Sequence, residues 1–253
     1  DNTTNMITLG RYEFDSSTGA LTSTTPVQVA SVENCTQVVT IDDYFQELST
    51  AREGNSATDS TAENATARNL KEFISTTLAN GGYYIARYEA SGTTEKITSK
   101  YNQEVLVNIT QPNAAKLARK MYGEVKENNE LVYASDLVNS YAWDTAIIFI
   151  QTYSTGEDAS SYASQNKSTS FANTGINNDK YCNIWDVSGN ATEWTTEECS
   201  AFFDDMLFIP CVSRGGSCDT ASGRASDFTS YRHTFRTTDS DSDSGLRPIL
   251  YVK

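Results

Sequence analysis

The chain has 253 residues, of which 38% are hydrophobic and 11% aromatic, including 14 tyrosines; that is enough for a sizeable core and argues against a disordered whole. Its net charge of −14 and isoelectric point near 4.4 repel nucleic-acid phosphates and anionic lipid, so neither is an expected partner. No run approaches the roughly 20 apolar residues of a membrane span, so no membrane insertion is expected, and no signal peptide is visible.

In chain order, residues 7–14 and 26–41 alternate apolar and polar with β-branched residues, which predicts strands around the turn "DSSTG" at 15–19. Residues 50–61 are a polar loop. The spacing of Leu70, Phe73, Ile74 and Leu78 predicts a helix over about Ala62 to Ala79, stopped by Asn80, Gly81 and Gly82. Residues 83–91 then predict a strand. Pro112 suits the first turn of a short helix reaching Met121, and Ser135 is the expected N-cap of a strongly apolar helix ending near Gln151. Residues 153–180 are loop-like. From 181 onward the pattern becomes short strands and tight turns with two tryptophans, so the expected class is α+β, helices first and an irregular β-rich half after. Nothing repeats internally.

Five cysteines, at 35, 182, 199, 211 and 218, show neither CxxC nor Cys/His metal spacing. Cys182, Cys199 and Cys211 lie close enough in sequence to include one disulfide in an oxidising compartment, and read equally well as buried thiols. The start at Asp1 rather than Met reads as a mature or trimmed ectodomain, with an upstream anchor removed.

Three blocks in order carry a resemblance: "GGYYIARYEAS" (81–91), "NIWDVSGNATEW" (183–194), and "VSRGGS" (212–217) with the terminal "GLRPIL" (245–250). Together they resemble the formylglycine-generating-enzyme-like branch of the C-type lectin fold. The resemblance implies a C-type-lectin-like domain over residues 81–253, behind a β-containing segment with one helix at 1–80. The N-terminal half also resembles ectodomains from Firmicutes and their phages, some of which follow a pilin-like membrane helix. Read physically, Gly189, Gly215 and Gly216 suit tight turns or close backbone approach, and Trp185 and Trp194 are large enough to fill a core. Arg214 and Arg247 suit forked hydrogen bonds to carbonyls or carboxylates. All of these read as scaffold.

The formylglycine-generating enzymes work through two closely spaced cysteines just past this glycine turn, with copper. Here Cys218 stands there alone, and a two-thiolate site cannot be built from one thiol. The single histidine, His233, has no nucleophile motif to serve, so no catalytic residue is expected. A calcium-dependent lectin is the other alternative. "DSDSDSG" (239–245) resembles an EF-hand loop, but its glycine arrives one residue late and Leu250 stands where the glutamate belongs. The acidic run therefore reads as a solvated loop. Related domains can carry structural calcium, and no other cofactor is expected.

Some proteins of this fold are the variable products of diversity-generating retroelements, which rewrite adenines in a C-terminal cassette of AAY codons. The resulting NNY codons never encode Lys, Glu, Gln, Met or Trp. Those five types supply 38 of the 253 residues and none of residues 217–244. At that background a window of 28 residues would be empty roughly once in a hundred, before any allowance for the choice of window. An ordinary Ser/Thr-rich surface loop is the plainer reading of the same stretch. The resemblance implies as variable, ligand-facing positions Ser217, Cys218, Asp219, Thr220, Ser222, Gly223, Arg224, Ser226, Phe228, His233, Phe235, Arg236, Asp239, Asp241 and Asp243. Tyr231 and Arg232 resemble the family's scaffold and are left out. Small polar residues around a few rigid aromatics suit a surface that must tolerate substitution. The expected protein is a non-enzymatic adhesin or phage receptor-binding type, extracellular, on a cell or virion surface, with a protein or glycan partner.

Overall fold

The Asp15 carboxylate folds the N-terminal turn by accepting the backbone N–H and the hydroxyl of both Ser17 and Thr18. The strands beside this turn are shorter than expected: β1 (Gly10–Arg11) pairs antiparallel with β2 (Gln28–Val29). The structure is a computed structural model that describes residues 6–33, 45–47, 70–122, 124–128, 130–154, 170–177, 180–199, 202–203, 207–208, 210–218 and 228–253. The expected strand beyond residue 33, the polar loop at 50–61 and the helix start at Ala62 lie outside the described residues, as does Cys35. After β3 (Phe45–Gln46) comes helix α1 (Leu70–Asn80).

Helix α1 buries Leu70, Phe73, Ile74 and Thr77, whereas Leu78, expected on that face, is 54% exposed. The helical period explains the difference, since the seventh step from Leu70 returns closer to the apolar stripe than the eighth. Gly81 (φ +74°) ends the helix, and the Gly82 N–H bonds back to the Thr77 carbonyl at 3.0 Å, closing a Schellman motif.

The single strand expected over 83–91 is split into β4 (Tyr84–Ile85) and β5 (Ser91–Gly92). Between them Ala86 and Ala90 donate to the carbonyls of Pro248 and Leu246, while Glu89 turns inward to Asn190 and Ala191. β6 (Ile97–Thr98) pairs with β5, and β7 (Ile109–Thr110) leads into α2 (Gln111–Tyr122), with Pro112 in its first turn as expected. β8 (Glu124–Glu127) and β9 (Glu130–Leu137) follow. Ser135 is not a helix cap: it lies within β9, where its hydroxyl donates to the Ala118 carbonyl and accepts the Tyr122 N–H. The cap of α3 (Ser140–Tyr153) is Asn139, whose side chain accepts the Ala142 N–H at 2.9 Å.

The later strands are β10 (Thr192–Cys199), β11 (Phe202–Phe203), β12 (Leu207–Phe208), β13 (Cys211–Arg214), β14 (Arg232–Phe235), β15 (Ser240–Asp241), β16 (Ser244–Leu246) and β17 (Pro248–Val252). One sheet runs β14-β13-β10-β16, with β3 also on β10; the β10–β16 pair is parallel and the others antiparallel. A second runs β4-β17-β9-β8. The architecture is therefore mixed helix and sheet, α+β. Leu9, Tyr12, Phe14 and Ala30 share a core with Phe73, Tyr141, Ile147, Ile249 and Tyr251, so residues before and after position 80 are packed together. Trp194 is fully buried in the other core cluster. Trp185 is only half-buried, stacked on Tyr88 at 5.0 Å with the Lys180 ammonium over its ring. Cys182 is a free, half-buried thiol and joins no disulfide. Among the described residues no helix is long and apolar enough to cross a membrane.

Candidate binding surface

β13 and β14 pair residue for residue, Cys211 with Phe235, Val212 with Thr234, Ser213 with His233 and Arg214 with Arg232. Side chains of paired residues share a face and alternate along the ladder. Phe235 therefore falls beside Cys211 and lays its ring edge-on to Trp194, with centroids 4.9 Å apart. Arg214 and Arg232 fall together on the opposite face.

Both arginines end on Glu197 of β10: Arg214 Nη1 donates at 3.1 Å and Arg232 Nε at 2.8 Å, while Arg11 Nη2 from β1 reaches the same carboxylate at 2.5 Å. Arg214 Nη2 also donates to Asp144 of α3 at 2.8 Å, and its guanidinium lies over the Trp143 ring. Burial works against a charge on Glu197, but Arg232, Arg11 and Arg214 outweigh it and hold the carboxyl down at about 2. Burial and the adjacent Arg232 pull Arg214 below its ordinary value, against Asp144 and Glu197.

A second centre sits at Arg247. Its Nε and Nη2 donate to Glu193 Oε1 at 3.1 and 2.7 Å, and its remaining N–H groups reach the carbonyls of Ala86, Trp185 and Asp186. This is the forked bonding expected of both arginines. Burial, then Asp186 and Glu193, push the neighbouring Glu89 well above the ordinary carboxylate range. Gly215 links the two centres: its φ is +79°, and a Cβ there would stand 3.1 Å from the Val187 carbonyl.

On this base the structure sorts the candidate positions into three groups. Ser217, Cys218 and Asp243 are interior, which corrects the expectation that they face a partner. The Ser217 hydroxyl donates to the Asp243 carboxylate, the Cys218 N–H bonds the Asn190 carbonyl at 3.0 Å, and the Asp243 carbonyl accepts the Thr192 N–H at 2.9 Å. These bonds clasp the two ends of the window together against β10. Phe228, His233, Phe235, Asp239 and Asp241 are half-buried and Arg236 is exposed. Phe235 belongs to the core cluster through Trp194, so it serves packing as well as any surface. Asp239 caps its own turn by accepting the Arg236 N–H at 3.0 Å, and Asp241 pairs with Ile109 across β15–β7. Asp219, Thr220, Ser222, Gly223, Arg224 and Ser226 lie outside the described residues.

Of the two residues assigned to scaffold, Arg232 fits. Tyr231 is 46% exposed, with its ring 4.6 Å from the His233 ring, and lies at the surface instead. Among the described residues no three His, Cys, Asp or Glu side chains are grouped to hold a metal ion, and the acidic run 239–243 divides into a turn cap, a strand residue and a buried clasp. Glu197, Asp144 and Arg11 were not singled out from the sequence. The one available signal was the run "TEWTTEEC", which carries three glutamates in a strand that proves to be buried throughout.

No protein-family model matches the chain, and no curated protein matches it. Among solved structures it is similar to Treponema denticola variable protein 1, at 13% sequence identity over 80% of this chain and 77% of that one, with a TM-score of 0.32, a level that establishes no common fold.

Proposed function

We propose that this chain is a non-enzymatic ligand- or receptor-binding protein with a C-type-lectin-like fold, whose surface between residues 217 and 244 is diversified by a retroelement. The observation that carries the reading is residue usage: the window lacks Lys, Glu, Gln, Met and Trp, the five types that NNY codons cannot encode. Its burial pattern is compatible with that role. The ends are clasped inside, Arg232 is tied to Glu197, and Tyr231 and Arg236 are exposed. Rigid aromatics among adaptable polar residues suit a contact surface that must change partners. The single thiol at Cys218 argues against formylglycine-type chemistry, as it did from residue count.

The partner belongs to a cell or virion surface and is a protein or a glycan, which places the protein outside the cell as an adhesin or phage receptor-binding component. Sequencing many natural copies tests this. Differences should concentrate between Ser217 and Ser244, while Gly215, Gly216, Arg232 and Arg247 stay constant. An even spread of differences along the chain overturns the reading.

A further inference from the structure

The stretch ahead of β1, the end of α1, β4 and the middle of α3 wall a groove of about 610 Å³, inside the range of roughly 300–1,000 Å³ typical of small-molecule sites. None of its 14 lining residues carries a charge, in a chain of which 21% is charged. Ile7, Ile85 and Phe149 are half-buried along it, and Met6 and Leu78, which also line it, are exposed. Gly81 and Gly82 line it too, and a Cβ at either would meet nothing within 4 Å. The turn that stops α1 therefore leaves the space beside it open.

Two of the polar side chains in the wall are spent inside the fold. Tyr83 donates its hydroxyl to the Ala142 carbonyl at 2.6 Å, and Thr145 donates to the Gly10 carbonyl at 3.4 Å. Thr76 follows the usual course for a helical threonine and donates back to the Glu72 carbonyl at 2.8 Å. Thr77, which lines the groove, does not. It is 5% exposed, and its hydroxyl has no hydrogen-bond partner among the described residues. A buried hydroxyl without a partner is unfavourable, and a polar atom of a bound molecule relieves it.

The lining limits what fits. An ionised group would be buried with no counter-charge in the wall. An apolar body meets matching surface, and one neutral hydrogen-bonding group meets Thr77. We propose that the groove binds a free, uncharged small molecule, an aliphatic or ring body carrying one alcohol, ester or amide oxygen that is held by the Thr77 hydroxyl. The net charge of −14 disfavours an anionic bilayer as its source. Every lining residue lies outside 217–244, so the groove stands apart from the reading of that window.

Calorimetric titration of the full chain with 1-octanol, and separately with octanoate at pH 8, tests the site. Octanol should bind saturably, one per chain, and octanoate about tenfold more weakly or worse. Gly82→Leu, which adds a side chain where the groove is open, should lower the octanol affinity about tenfold or more and leave the thermal melt unchanged. Thr77→Val keeps the shape of the side chain without its hydroxyl. Octanol should then bind roughly three- to tenfold more weakly, the range for one hydrogen bond, while cyclohexane binds as before.

Absence of saturable octanol binding, or equal affinity for octanoate, overturns the proposal. So does undiminished octanol affinity in a folded Gly82→Leu variant, because the site is then elsewhere, or in Thr77→Val, because the hydroxyl then holds nothing. If Gly82→Leu does not fold, Leu78→Asp takes its place: weakened octanol binding supports the site and unchanged affinity removes it. Sedimentation of the ligand-free chain tests the other occupant. A dimer that Leu78→Asp converts to a monomer would make the groove a contact between copies and overturn the proposal.

Discussion

β13 and β14 are each four residues long, hydrogen-bonded in one-to-one register, and each presents an arginine to Glu197. β13 is buried throughout, while β14 is half-buried along its length. Composition does not separate "CVSR" from "RHTF". Position does, since among the described residues β13 has a strand on both sides and β14 is paired with β13 alone. A strand walled in on both sides can carry an arginine only if its charge is fully answered. The strand beside it can lean on the same carboxylate and still turn side chains outward.

The comparison breaks most sharply at the paired arginines. Arg214→Ala should cost about 3–5 kcal/mol, because Asp144 loses its closest cation and stays buried. Urea denaturation measures it, and a loss below 1 kcal/mol would show that water reaches the cluster. Arg232→Ala should cost less, about 1.5–3 kcal/mol, the range for one hydrogen bond to a charged group. Glu197 keeps Arg11 and Arg214, and Arg214 is freed of a like-charged neighbour. Equal losses in the two variants would erase the distinction between the strands. The smallest effect belongs to Tyr231→Ala with Arg236→Ala, which should shift stability by no more than about 0.5 kcal/mol. A larger drop in the thermal melt would place those side chains in the scaffold.

The scaffold arginines and Gly215 were legible because each is unusual on chemical grounds: a guanidinium near a terminal apolar strand must find acceptors, and a glycine at positive φ marks a place where a Cβ does not fit. Helix α3 was legible in its apolar body but not in its start, since Ser135 and Asn139 are both good caps and only pairing of β9 with β17 decides between them. The window was harder. Ser217 and Asp243 look like surface residues, and their burial depends on a bond between positions 26 residues apart. Glu197 was hidden for a related reason: a glutamate in a strand reads as solvated until three arginines from β1, β13 and β14 are seen to converge on it.

The clasp at Ser217, Cys218 and Asp243 also bears on chain length. Cys218 is anchored to the Asn190 carbonyl, and the Thr229 carbonyl accepts the Trp143 indole N–H at 2.9 Å, so both ends of the 219–227 stretch are fastened to the scaffold independently of what joins them. Closing a flexible loop between fixed ends becomes only about 0.6 kcal/mol more costly for each doubling of its length. Insertions between Cys218 and Phe228 would therefore burden the fold little, because the bonds to the Asn190 carbonyl and the Trp143 indole do not depend on the length of chain between them.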